Sequence, residues 1–205
     1  MMQLMDELRL QAELRGAVFC RAVSLEGLDH AQTHGYRCGV VMGWELKNAY
    51  DFAEGEMRAD RAADAIESWL RAQHFDAMSQ SERSIAAHAL FDAETHSSPL
   101  PHKTLAVRAG VGWIGRNNLL VTEDHGCRLT LSTVLTNAPL EVEEAAQMPN
   151  RCGNCMVCVR ACPVQALSGK KWTPKTERDK IVDVEACRLC LKCMQVCPKN
   201  NLKKR

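Results

Sequence analysis

CGNCMVCVRACP (residues 152–163) and CRLCLKCMQVCP (residues 187–198) share one pattern, C-x2-C-x2-C-x3-C-P. That spacing wraps thiolates around a four-iron, four-sulfur cluster. Cys187, Cys190, Cys193 and Cys197 each follow their counterparts Cys152, Cys155, Cys158 and Cys162 by 35 residues. A constant offset marks an internal duplication, and so a module with two 4Fe-4S clusters. In such modules the fourth cysteine crosses over to the other cluster. Cluster one is therefore expected on Cys152, Cys155, Cys158 and Cys197, and cluster two on Cys187, Cys190, Cys193 and Cys162.

Other uses of these cysteines fit less well. A disulfide framework calls for a secretory signal, and MMQLMDELRLQAELRG carries acids and has no apolar core segment. Structural zinc takes four ligands, commonly from two paired knuckles, fewer than two triplets with two further cysteines supply. Cys20, Cys38 and Cys127 stand singly in apolar stretches and read as buried core thiols. Eleven cysteines in this setting point to a reducing, cytoplasmic location. No run of residues approaches the apolar length of a membrane span.

Working outward from the cysteines, PLEVEEAAQMPNR (residues 139–151) is acidic and flanked by Pro139 and Pro149, which places a domain boundary there. The expected organisation is residues 1–149 and residues 150–205. A net charge of +1 hides a balance of +9 from Arg151 onward and −8 before it. Eight thiolates and their clusters are anionic, so nearby Lys and Arg offset them. The surplus also suits docking of an acidic electron donor, a ferredoxin or flavodoxin, at Lys170, Lys171, Lys175, Lys203, Lys204 and Arg205. Trp172 is the module's one aromatic residue, so base-stacking platforms are missing and specific tRNA binding is not expected.

The first 150 residues alternate helical and strand patterns. Residues 2–15, 50–73 and 81–92 read as helices; 17–23, 37–44, 118–122 and 127–136 read as strands. In the last of these, Leu129, Leu131 and Leu135 share a face. No regular βαβ period appears, which predicts a mixed sheet covered by helices in an α+β fold. Within this part, PHKTLAVRAGVGWIGRNNLLVTEDHG (residues 101–126) is unusual. Gly110, Gly112 and Gly115 bracket Trp113, and His102, Lys103, Arg108, Arg116, Asn117 and Asn118 add polar and cationic groups. The G-x-G-x-x-G letters lack the preceding strand that a dinucleotide site requires.

From HKTLAVRAGVGWIGRNNLLVTEDHGCRLTLSTVLTNAPL through CGNCMVCVRACPVQAL, and over about residues 101–198 in all, the chain resembles the epoxyqueuosine reductase family, which is related to the reductive dehalogenases. The resemblance implies a nitroreductase-like α/β domain that holds a cobalamin, followed by a two-cluster bacterial ferredoxin-like domain. It implies that His102, Lys103, Gly110, Gly112, Trp113, Gly115, Arg116, Asn117 and Asn118 border the corrinoid. The expected function is a cobalamin-dependent reductase acting on a small-molecule substrate. The alternatives are an activator or carrier of a corrinoid for a partner corrinoid protein, and a ferredoxin-type carrier. FMN is the alternative cofactor, since the nitroreductase-like fold elsewhere holds flavin. The helical repeat domain of many tRNA-modifying members does not follow Cys197 here, and the second cysteine motif is more compact than theirs. Their Asp-Tyr-His context is matched only by Tyr50-Asp51-Phe52. Proton-donor candidates are His102, Tyr50 and Asp51, with His102 preferred because imidazole titrates near neutrality.

Overall fold

The computed structural model describes residues 3–142 and 145–200. It begins with α1 (Leu4–Glu13), β1 (Phe19–Ser24), the single turn α2 (His30–Thr33), β2 (Cys38–Glu45) and α3 (Phe52–Ala72). There follow β3 (Ala77–Ser79), α4 (Glu82–Ala87), α5 (His102–Arg108), β4 (Trp113–Ile114), β5 (Leu120–Val121) and β6 (Leu129–Thr136). The cysteine-rich region holds α6 (Val157–Arg160) and α7 (Lys192–Gln195).

β1, β2, β6 and β3 lie in that order in one sheet, and every neighbouring pair is antiparallel. The expected mixed sheet is thus corrected to an antiparallel one. The connections explain it. β2 and β3 run the same way through the long crossover α3, but β6 inserts between them and pairs antiparallel with both. β3 spans three residues, too short to show an alternating pattern in the sequence.

Both faces of the sheet are covered. On one, Val40, Met42 and Trp44 of β2 meet Leu8 of α1 and Ala59, Ala63, Ile66 and Leu70 of α3, all fully buried. The α3 residues recur three or four apart, so they form one stripe. On the other face, Val41, Leu129 and Leu135 pack against Leu105 and Ala106 of α5. Gly39 lets α5 come close, since a Cβ there would stand 3.3 Å from the Leu105 side chain. Fully burying a side chain such as Leu70 contributes about 1.5–3 kcal/mol.

The cysteine-rich region has little core of its own: one small cluster of Cys158, Ala166, Leu167 and Val182, with Ile181 and Met194 buried besides. A single antiparallel bridge, Leu167 to Val182, closes it. So small an apolar interior needs a staple such as bound metal. Among the described residues, no helix is long and apolar enough to cross a membrane.

Candidate metal centre

The cysteine runs fold as two loops, each running into a one-turn helix, α6 and α7. Four sulfurs meet where these loops face the first 150 residues. Cys152, Cys155, Cys158 and Cys197 line one cavity of about 200 Å³, together with Arg116, Asn117, Val121, Arg151, Pro198 and Lys199. Three of these cysteines come from the first run and one from the second. Cys162, Cys187 and Cys193 pack around Ala166, Leu167 and Val182 at the other pole, and Cys190 is exposed.

The chemistry of the first set fits an iron–sulfur cluster. A zinc site would draw four thiolates to about 2.3 Å from one ion. Here the cysteines enclose a roomy cavity, and among the described residues no three His, Cys, Asp or Glu converge on a point fit for a lone ion. When bound, such a cluster supplies one-electron transfer. The chain's task is to space the thiolates, exclude water and provide hydrogen bonds and charge around the sulfurs.

The Gly-Trp segment supplies the wall. β4 and β5 form a hairpin whose turn contains Arg116, Asn117 and Asn118. Asn118 adopts a left-handed φ of 59°, a conformation asparagine tolerates well. From this turn Arg116 donates to the carbonyls of Gly153, at 2.9 Å, and of Gly169. The Asn117 amide reaches the Cys127 sulfur and the Cys193 carbonyl, each at 3.5 Å. Trp113 is 2% exposed and packs with Leu46, Val121, Cys127 and Met194, against which Cys152 and Cys197 also lie. Asn150 donates to the Ile114 carbonyl at 2.9 Å.

Several of the residues expected to border a corrinoid make protein contacts. Gly110 is consumed by close packing, since a Cβ would overlap Ala145, and Gly112 abuts the Val121 carbonyl in the same way. Gly115 lies against Asn117, whose Oδ1 would stand 2.6 Å from an added Cβ. Lys103 Nζ is spent on the Asn118 carbonyl at 3.0 Å, and burial, with Arg178 nearby, pulls its pKa down to about 8. Arg116 and Asn117 reach the cysteine-rich region, whereas His102, Lys103 and Arg108 bond within the first 150 residues.

The proton-donor candidates separate as well. His102 begins α5, and its Nδ1 sits 3.0 Å from Thr133 Oγ1. Burial drives its pKa down to about 4. The expectation of a group titrating near neutrality is therefore corrected: the ring is neutral at pH 7. Tyr50 is 91% exposed, and Asp51 caps the start of α3 while accepting from the Asn48 amide at 3.2 Å. The depressed His102 pKa has a consequence for stability. Below the ordinary value of 6.5 the unfolded chain takes up a proton that the folded chain refuses, so stability falls with pH until about 4. Denaturant titrations between pH 7 and 4 should show a shallower loss for His102→Gln than for the parent.

Cys127, the buried thiol the sequence suggested, and Asn200, which it did not mark, support Cys197 from behind the cavity. Cys127, 1% exposed, is held through its amide by Asn200 Oδ1 at 3.0 Å, and its thiol hydrogen-bonds the Cys197 sulfur. That bond, more than burial, raises its pKa well above the ordinary thiol value. Asn200 also donates to the Met194 carbonyl at 2.7 Å. Cys20 is the buried core thiol expected, pushed up to about 12 by burial, whereas Cys38 is only half-buried.

Residues 151–201 match the family described as a 4Fe-4S dicluster domain. Part of the sequence is similar to epoxyqueuosine reductases. That of Listeria monocytogenes is 36% identical over 110 residues, 47% of this chain and 28% of the relative. That of a Synechococcus strain is 42% identical over 72 residues, 35% and 22% respectively. The chain thus spans less than a third of the curated epoxyqueuosine reductases it matches. Among solved structures, an epoxyqueuosine reductase with a modified tRNA-Tyr stem loop superposes with a TM-score of 0.67 at 16% identity, over 97% of this chain and 66% of that one. The catabolic reductive dehalogenase NpRdhA with 3-bromo-4-hydroxybenzoic acid gives 0.71 at 20%, over 93% and 31%. At such identities the superpositions establish the shared fold.

Proposed function

We propose that this chain is an iron–sulfur oxidoreductase unit of a reducing cytoplasm, in which two 4Fe-4S clusters relay electrons toward an acceptor held by the first 150 residues. The observation that carries this reading is the four-cysteine cavity pressed against the β4–β5 hairpin. Cluster one, on Cys152, Cys155, Cys158 and Cys197, is the inner relay. Cluster two, on Cys187, Cys190, Cys193 and Cys162, is the outer one, since Cys190 and its neighbour Leu189, 77% exposed, face solvent. An acidic ferredoxin or flavodoxin would reach it across the basic surface that includes Lys170, Lys171 and Lys175. Lys203, Lys204 and Arg205 lie outside the described residues.

The test is chemical analysis and kinetics of anaerobically prepared protein. About eight irons and about eight sulfides per chain are expected; a zinc-dominated content would refute the reading. Reduction by the protein donor should slow with added salt, because steering between opposite charges is screened. Reduction by a small neutral reductant should not. If charge reversal at Lys170 and Lys171 leaves donor-driven reduction unchanged, these lysines do not guide docking.

A second reading names the acceptor as a corrinoid, on a domain of nitroreductase type. It is favoured by fold: a reductive dehalogenase structure described in terms of B12-dependent dehalogenation superposes over 92% of this chain with a TM-score of 0.69. Of the residues that the resemblance assigned to it, Lys103, Arg116 and Asn117 also make protein hydrogen bonds. Titration of reconstituted protein with cobalamin should perturb the corrinoid absorption bands. Unperturbed bands, or binding of FMN alone, would sink it. Specific tRNA recognition is not part of either reading, and tight, salt-resistant binding of one tRNA would overturn that exclusion.

A further inference from the structure

Arg116 is the one arginine of the β4–β5 turn, and it stands in the wall of the cavity lined by Cys152, Cys155, Cys158 and Cys197. Its two terminal nitrogens are occupied by the carbonyls of Gly153 and Gly169. Gly153 lies between Cys152 and Cys155, so this contact anchors the loop that carries two of the four sulfurs. The third nitrogen, Nε, is shut off from solvent and has no hydrogen-bond partner among the described residues. A buried donor left unsatisfied costs about 1–3 kcal/mol, so a cationic side chain held on two sides with its third donor idle beside a sulfur-lined cavity implies an acceptor within that cavity.

The other pole of the cysteine-rich region is built differently. The apolar side chains packed with Cys162, Cys187 and Cys193 include Val159, Val164, Val184, Ala186 and Leu167. The Arg116 guanidinium stands at the first pole.

We propose that Arg116 is the tuning residue of cluster one: its Nε–H donates to a sulfur of that cluster, and its charge offsets the electron the cluster gains. Hydrogen bonds to the sulfurs and nearby positive charge favour the reduced, more negative state. Cluster one consequently has the higher reduction potential, and electrons run from the exposed cluster two inward to the α/β domain. The role differs from the corrinoid contact that the resemblance implied for the same residue. It rests on the reading of the cavity as the seat of cluster one.

Potentiometric titration followed by electron paramagnetic resonance tests the inference on the full chain, with Arg116→Lys and Arg116→Gln. Lysine keeps the charge but lacks the Nε donor; glutamine loses both. The cluster-one midpoint should fall in both variants, further in Arg116→Gln, while the cluster-two midpoint stays in place. Unmoved midpoints in both variants overturn the proposal. Should a variant shed cluster one, the unmutated protein labelled with nitrogen-15 arginine supplies the answer by pulsed resonance on the reduced cluster. A weak nitrogen-15 coupling supports the donor, and its absence overturns it. Iron and sulfide analysis keeps two failures apart. About eight irons with unmoved midpoints removes the role of Arg116 alone, whereas protein that never holds cluster one removes the reading of the cavity as well.

Discussion

Cys197→Ala should cost the chain about half its iron, and the half lost should be that of the first cysteine run, although Cys197 belongs to the second. The expectation comes from the cavity that gathers Cys197 with Cys152, Cys155 and Cys158. Double variants give the sharpest reading. If Cys197 and Cys152 serve one cluster, removing both costs no more iron than removing either. Removing Cys197 and Cys187 together should empty both sites. Iron content near zero in the Cys197–Cys152 double variant would reverse the assignment and mean that each run closes on itself. Cys162→Ala is the mirror case and should spare the cavity cluster.

Trp113→Ala should destabilise the chain by about 3–5 kcal/mol, the range for removing a large buried aromatic side chain. Trp113 is 2% exposed and touches both parts of the molecule through Leu46, Val121 and Met194. Its loss should therefore loosen cluster one as well as lower the unfolding midpoint, so that iron is released at lower denaturant. Trp113→Phe separates shape from polarity. The indole Nε1 is buried without a partner, so phenylalanine gives up no hydrogen bond and removes an unsatisfied donor. It should cost well under half of what alanine costs. Equal losses for the two variants would mean that the indole N–H has a partner after all. Chemical denaturation followed by fluorescence and by cluster absorbance measures both quantities on one sample.

Much of the fold was legible because its signals are local. A strand that buries one or both faces announces itself in four to eight residues: β6 falls within a stretch read as a strand, and β1 and β2 overrun theirs by one residue each. Apolar residues at helical spacing, Ala62, Ala65, Ile66 and Leu70, announced α3 in the same way, and its buried stripe runs through Ala59, Ala63, Ile66 and Leu70. β3 was missed, since Ala77–Ser79 is held in place by β6 and not by its own pattern. Sheet direction was missed too, because it depends on which strand arrives between β2 and β3.

The candidate site divides along the same line. By itself the sequence determined that eight cysteines stand in two identical runs, because ligand spacing around a cluster is a matter of a few consecutive residues. It also marked residues 102–118 as exceptional, from glycine, tryptophan and cation density alone. What those residues do was decided only by the tertiary structure. Glycine reads the same whether the close neighbour is a ligand or another backbone, and Gly112 proves to face the Val121 carbonyl. His102 reads as a neutral-range acid until burial lowers it to about 4. Arg116 reads as one of several cationic groups around the glycines until the hairpin turn carries it across to Gly153 and into the wall of the sulfur-lined cavity. Residue type sets what a side chain can do, and packing across distant segments sets which of those things it does.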